Sequence, residues 1–199
     1  MSYRYAPTPT GSNKIINCYT DGSAVAHGKN KGLGGFGTYF PDIFGDKKAF
    51  SLGFKDTKTG RVELIALLFA LVGLRNYIKA NVIKEKINLF VYSDSQYVVK
   101  SFTEHRLERW ISSGWKNSAG DVANKDLWVK ILSELYGLNI NFNIKHIKAH
   151  QVDKEKDECK KQELLKDPHI RGNLIADKLA DYKRHHKKLD SDLLIHKMI

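Results

Sequence analysis

Hydrophobic positions along this chain follow two rhythms, one of period two and one of helical period, and the switches between them mark out its elements. Ile15 to Ser23 reads Ile-Ile-Asn-Cys-Tyr-Thr-Asp-Gly-Ser, apolar and β-favouring up to Asp21 and broken at Gly22, which predicts a buried strand with a carboxylate at its tip. The glycine-rich stretch Gly28 to Gly37 leads into a second strand over Phe36 to Phe40, and Lys48 to Phe54 gives a third after a turn at Phe44-Gly45-Asp46. These three make an antiparallel meander. From Arg61 to Lys79 the period changes: Leu64, Leu67, Leu68, Leu71, Leu74 and Ile78 recur at helical spacing, and Ile65, Phe69 and Val72 widen the stripe into a largely buried helix.

Ile87 to Tyr92 predicts a fourth strand ending at Ser93-Asp94-Ser95, with a helix from Ser95 onward. A helix over Lys125 to Tyr136 precedes a fifth strand, Asn139 to Ile147, whose Ile140, Phe142 and Ile144 alternate before Lys148-Ala149-His150. Gln151 to Lys166 is dominated by Lys, Glu and Asp with almost nothing to bury, which predicts an exposed loop. Beyond Pro168 and Gly172 a last helix is expected from Asn173, carrying Leu174, Ile175, Leu179 and Ala180 with Asp177 among them. A meander, parallel strands and crossover helices together call for an α/β three-layer domain.

Composition narrows the partners more than the fold. The 199 residues are 42% hydrophobic, enough for one well-buried domain. Residues 1–13 read as a flexible leader, 14–188 as the domain with its charged insertion at 151–167, and 189–199 as a tail. Thirty-three Lys and Arg against 22 Asp and Glu give a net charge of +11, which favours a polyanion such as nucleic acid. Lys183 to Lys188 is either the solvated end of a helix or a nucleic-acid or nuclear-address contact. No apolar run reaches the roughly 20 residues of a membrane span. Cys18 and Cys159 form no disulfide or zinc pattern, so an intracellular, reducing compartment, cytoplasm or nucleus, is expected.

Four acids stand apart. Asp21 and Asp94 end strands, Glu63 opens the first long helix, and Asp177 lies on the last. Each has an ordinary explanation alone, a turn, a helix cap or an acid at a helix start. Together on one rim they would repel and raise one another's pKa unless cations neutralise them. Oxygen ligands select Mg²⁺, with Mn²⁺ able to substitute, over zinc, and two such ions about 4 Å apart clamp a phosphodiester displacement. Between Arg106 and Lys116, Trp110 and Trp115 sit among basic residues, a mixture that suits sugar-phosphate and stacked bases, or else two tryptophans packed on a small helix.

These residues resemble type 1 ribonuclease H over Ile15 to Tyr182. The likeness is carried in order by Tyr19-Thr20-Asp21-Gly22-Ser23, Gly34-Gly35-Phe36-Gly37, Arg61-Val62-Glu63-Leu64, Ser93-Asp94-Ser95-Gln96-Tyr97-Val98, Gly114-Trp115-Lys116 and Gly172-Asn173-Leu174-Ile175-Ala176-Asp177. The resemblance implies the ribonuclease-H-like fold, a mixed five-stranded sheet with helices on both faces. It implies endonucleolytic hydrolysis of the RNA strand of RNA–DNA hybrids, leaving 5′-phosphate and 3′-hydroxyl ends, with two Mg²⁺ on Asp21, Glu63, Asp94 and Asp177. By the same likeness His150 assists water activation or product release, Asn124 belongs to a phosphate pocket, and Gly22, Ser23, Gln96 and Asn173 touch the hybrid, with Tyr97 beside them. A monomer with no obligate protein partner is expected, and no hybrid-binding module precedes the domain, so processive cutting is not.

Four departures qualify the likeness. Thr59-Gly60 stands where asparagine or glutamine often reads the minor groove, Arg106 replaces a stacking tryptophan, and the basic protrusion is thinned to Ile111-Ser112-Ser113. His150 lies far from Asp177 in sequence, so either it reaches the site with 151–166 looped out or His169 substitutes for it. The strand end Ile147-Lys148-Ala149-His150 favours His150. The competing readings are a non-catalytic module binding hybrids or double-stranded RNA, and another nuclease of the superfamily acting on DNA.

Overall fold

The strand β1 (Lys14–Ala24) lies inside a sheet, between a parallel and an antiparallel neighbour, and this makes the sheet mixed. Its antiparallel partner β2 (Gly34–Tyr39) follows through a short glycine-containing loop, and a one-turn α1 (Pro41–Phe44) leads to β3 (Ala49–Lys55), antiparallel to β2. A parallel partner needs a crossover, which the long helix α2 (Thr59–Ala80) supplies before β4 (Ile87–Ser93). Next come α3 (Gln96–Thr103), α4 (Arg106–Ser112), a small hairpin of β5 (Lys116–Asn117) and β6 (Gly120–Asp121), and α5 (Lys125–Gly137). The strand β7 (Ile140–His146) adds in parallel to β4. After it stand α6 (Gln151–Lys154), α7 (Glu158–Leu164), α8 (Pro168–His186) and a two-residue β8 (Leu189–Asp190) beside β3. The strand order is β7-β4-β1-β2-β3-β8. This computed structural model describes residues 14–44, 49–186 and 189–190; the leader, the rest of the Phe44-Gly45-Asp46 turn and residues 191–199 lie outside the described residues.

Period-two alternation in β1 sorts side chains to two cores. Ile16 and Cys18 join the larger one, with the α2 stripe Leu64, Leu67, Leu68 and Leu71 and with Trp128 of α5. Tyr19 faces the other way, into a smaller cluster with Tyr39, Tyr92, Ile147 and Ala176 of α8. The layers are therefore α2 with α5, the sheet, and α8, as the mixed sheet with helices on both faces requires. Two arginines tie α2 to α5: Arg61 pairs with both oxygens of Asp126 at 3.1 and 2.8 Å, and Arg75 pairs with Glu134.

The predicted exposed loop over 151–166 is corrected by the structure, which folds most of it as α6 and α7. Val152 alone is buried in this stretch, and local bonds suffice for short, largely exposed helices. Asp157 caps α7 by accepting from the Lys160 amide at 3.1 Å, and Lys161 pairs with Glu158 one turn back at 3.0 Å. The last helix starts at Pro168, five residues before the expected Asn173. Asp167 accepts from the His169 and Ile170 amides at 2.7 and 3.3 Å, and proline suits the first helical position, so Asp167-Pro168 was the start signal.

The seat of α8 depends on Gly37. A Cβ there would fall on the carbonyl oxygen of Ala176 and 2.8 Å from Leu179 Cβ. Gly37→Ala should therefore lower unfolding free energy by about 1–3 kcal/mol, the usual cost of overpacking, seen as a lower urea midpoint with unchanged slope. Gly137→Ala, where nothing lies within 4 Å, is the control; equal effects at the two positions would contradict this packing.

Candidate active site

Gly22 fixes the geometry of the site. A Cβ at this position would meet the backbone of Val62 and Glu63, so only glycine lets β1 touch the first turns of α2 here. The contact brings Asp21 beside Glu63, each only 6% exposed. Parallel pairing of β1 with β4 sets Thr20 opposite Ser93, which carries Asp94 to the same level. Oxygen atoms of Asp21, Glu63 and Asp94 all lie within 4.8 Å of one another.

Such crowding is visible in the proton affinities. Burial pushes the Asp21 carboxyl well above its ordinary range, and the charges of Asp94 and Asp177 push it further, against a hydrogen bond from the Gly22 backbone. Burial likewise raises Glu63, with Asp21 and Asp94 adding to it. Glu63 Oε2 is buried and accepts no hydrogen bond from the described residues. A buried, unpartnered carboxylate oxygen facing two more acids fits a hard divalent cation, and the all-oxygen donor set fits Mg²⁺ or Mn²⁺ better than zinc.

The fourth acid belongs to a second, adjoining group. Asp177 comes from α8, and its Oδ2 lies 3.3 Å from His150 Nδ1. Asp153 Oδ2 lies 3.6 Å from the same nitrogen, and the three residues offer ligand atoms within 4.8 Å of one another. Burial raises the Asp177 pKa, His150 opposes the rise, and Asp153 and Asp94 reinforce it. The structure thus places His150 at the site, on a left-handed backbone turn (φ 51°) between β7 and α6. His169 lies elsewhere, 3.0 Å from the Tyr19 hydroxyl and stacked near Tyr92. Asp153 is not among the residues that the sequence singles out. Its position three residues after His150 is a helical neighbour, a signal concealed by reading the segment as a loop.

The expected substrate contacts divide. Ser23 and exposed Gln96 flank the carboxylates, and Asn124 holds a left-handed backbone (φ 57°) before α5 without capping it. Tyr97 accepts from the Trp128 indole at 3.0 Å and donates to the Ala123 carbonyl at 3.3 Å, so it also braces α3 against α5. Trp110 and Trp115 are partly buried against the larger core, Trp110 with its ring 5.8 Å from that of Trp128. Asn173 lies inside α8, only 4% exposed, with Oδ1 buried and unbonded among the described residues, and it lines one small pocket with His150 and Asp177.

Carboxylates gathered where the parallel ladder of β1 and β4 ends against α2, with a histidine–aspartate pair adjoining, define an α/β enzyme site suited to cation-assisted phosphodiester chemistry. The protein-family model RNase H matches residues 13–184. Ribonuclease H of Desulforamulus reducens is 35% identical over 147 residues, covering 73% of this chain and 83% of that protein, and that of Lachnoclostridium phytofermentans is 37% identical over 149, covering 72% and 86%. Among solved structures, the PFV RNase H domain aligns with a TM-score of 0.60 at 25% identity over 87% of this chain and 96% of that one. LC9-RNase H1, a type 1 RNase H, shares the fold with a TM-score of 0.61 at 17% identity, over 94% and 82%. The chain belongs to the ribonuclease H family.

Because proton uptake relieves the crowding, the sign of the pH effect is fixed. A carboxyl whose folded pKa is raised above the ordinary 3.8 stabilises the fold fully below that value, and the contribution is lost as pH rises through the raised one. In EDTA at neutral pH, Asp21→Asn should be more stable than the parent by about 1–3 kcal/mol, the scale of an uncompensated buried group. The gain should vanish toward acid pH in urea titrations, and Mg²⁺ should shrink it. A gain independent of pH would mean that Asp21 is not strained by its neighbours.

Proposed function

We propose that this protein cleaves the RNA strand of RNA–DNA hybrids endonucleolytically, leaving 5′-phosphate and 3′-hydroxyl ends. As a member of the ribonuclease H family it is a hydrolase acting on RNA. The observation that carries the finer reading is the convergence of Asp21, Glu63 and Asp94 within 4.8 Å around an unpartnered Glu63 oxygen. Asp21, Glu63, Asp94 and Asp177 would hold two Mg²⁺, which when bound supply Lewis acidity toward the scissile phosphate and a reactive water. A structural relative supports the substrate: LC11-RNase H1, solved in complex with RNA/DNA hybrid, shares the fold at 19% identity and a TM-score of 0.52, over 90% of this chain and 99% of that one.

The chain's own residues divide the remaining work. Burial of Asp21 and Glu63 fixes their rotamers, so the oxygens are in place before substrate arrives. His150, with its side chain 47% exposed, is close enough to Asp177 to hold a proton beside the reacting phosphate and to release it to solvent. Asp153 orients the same imidazole nitrogen. Main-chain groups at Gly22 and Ser23, with Gln96, lie where 2′-hydroxyls tell RNA from DNA, and Asn124 offers an uncapped amide to a phosphate. The +11 charge supplies non-specific attraction to the backbone.

The catalytic domain spans 14–188, acts as a monomer and works in a reducing compartment, consistent with the unpaired Cys18 and Cys159. No helix among the described residues is long and apolar enough to cross a membrane.

With a labelled hybrid and Mg²⁺, Asp94→Asn should lower the cleavage rate about 1000-fold or more, several kcal/mol of transition-state stabilisation. His150→Ala should lose about 100-fold, with hybrid affinity kept. Hybrid binding without cleavage by the parent in Mg²⁺ or Mn²⁺ would make the protein a binding module instead.

A further inference from the structure

Two runs of chain bring four polar side chains to one spot beside the acid trio. His150 and Asp153 stand where α6 begins, and Asn173 and Asp177, four residues apart, share a face of α8. His150 Nδ1 lies 3.3 Å from Asp177 Oδ2 and 3.6 Å from Asp153 Oδ2, and the ligand atoms of all three residues fall within 4.8 Å of one another. Both contacts are longer than the roughly 2.7–2.9 Å of a charge-assisted hydrogen bond, and one imidazole nitrogen has at most one proton to share between two carboxylates. Among the described residues, neither acid pairs with a lysine or arginine.

Asn173 points the same way independently. It is only 4% exposed, its Oδ1 is buried and takes no hydrogen bond from the described residues, and with His150 and Asp177 it lines a cavity of about 10 Å³. That is close to the room for one water-sized occupant, too small for an organic ligand and enough for a lone ion. A buried amide oxygen left unpaired is costly, and a cation beside it removes the cost. Spacing and donor type narrow the cation. Two ligand atoms about 2.0–2.2 Å from one tetrahedral ion stand roughly 3.3–3.6 Å apart, the separations seen around His150 Nδ1. An imidazole nitrogen among oxygens suits Zn²⁺, whereas Mg²⁺ and Ca²⁺ prefer oxygen alone. The side chains of His150 and Asp153 are 47% and 52% exposed, which gives the ion a way in from solvent.

We propose that His150 Nδ1, Asp153 and Asp177 bind one Zn²⁺, with Asn173 Oδ1 as the fourth donor, at a site distinct from the Asp21–Glu63–Asp94 trio. The ion ties the charged segment to α8, since Asp153 comes from α6 and the other two oxygens from α8. It takes the place of the proton on His150 and engages Asp177, so Zn²⁺ inhibits cleavage at saturating Mg²⁺. That consequence rests on the hydrolytic reading above; the binding does not.

Calorimetric titration of the full, metal-stripped chain with ZnCl₂ in excess Mg²⁺ tests the binding. One equivalent should bind saturably, and Asp153→Asn and His150→Gln should each weaken it by about tenfold or more, while Asp94→Asn keeps it. With Co²⁺ as the probe, the visible absorption of a tetrahedral ion should appear in the parent and in Asp94→Asn and fade in Asp153→Asn. Cleavage of a labelled hybrid is then followed with each protein's rate taken relative to its own zinc-free rate. The Zn²⁺ concentration for half inhibition should rise in Asp153→Asn by the factor found in the calorimeter. Absence of saturable binding at sub-millimolar Zn²⁺, or an affinity unchanged in Asp153→Asn, overturns the proposal. So does binding that disappears in Asp94→Asn and survives in Asp153→Asn, which gives the ion to the acid trio. A parent that binds Zn²⁺ in this pattern yet cleaves no hybrid keeps the site and sinks only the hydrolytic reading.

Discussion

Like charges in a poorly solvated corner push apart, and three carboxylates within 4.8 Å at the junction of β1, α2 and β4 are a standing source of repulsion that the surrounding structure has to resist. Resistance comes from packing on the far side of each acid. Asp21 continues a strand hydrogen-bonded on both edges, and Glu63 lies near the start of a helix, α2, whose stripe of leucines is buried at about 1.5–3 kcal/mol per side chain. Gly22 removes the one side chain that would hold these supports apart. Cation affinity is thus prepared by folding: the apolar core holds oxygens where only a positive charge makes them comfortable.

The other half of the site arrives from the opposite face of the sheet. Asp177 and His150 reach the rim because α8 lies close on β2, where Gly37 admits its backbone, and close on β1, where Gly172 admits the Tyr19 ring. Between His150 and α8 the chain folds into two short helices, so the histidine is held by a turn with local bonds on both sides rather than at the end of a loose tether. Asp153 is a consequence of that fold, facing the histidine only because α6 turns it back. Both the acid trio and the histidine pair therefore depend on close backbone approaches, which is why small changes at glycines distant from the chemistry bear on it.

Much of this was legible in the chain. The strands of β1, β4 and β7 and the α2 helix follow from periodicity, since burying one face imposes the same spacing wherever the element sits. Asp94 directly after β4 follows too, whereas β1 runs on past the expected break at Gly22 to Ala24, because β2 pairs with it there, and α2 starts at Thr59, which puts Glu63 beyond its first turn. The charged segment hides its helices because burial is the signal of periodicity and exposed helices lack it; their caps and one-turn ion pairs, Asp157 and the Glu158–Lys161 pair, are short-range features easily lost in a run of charge. The start of α8 was placed late for a related reason, since Asp167-Pro168 closes that run before any apolar residue appears.

Residue order alone settles which elements form and which of them carry carboxylates, because hydrogen bonding and burial act over a few neighbours. Whether Asp177 joins the acid trio or stands with His150 and Asp153, whether His150 or His169 faces the site, and whether Asn173 meets solvent are set by how α8 crosses the sheet. Those outcomes turn on contacts between residues far apart in the chain, down to a few tenths of an ångström at Gly22, Gly37 and Gly172, and no local pattern encodes distances of that kind.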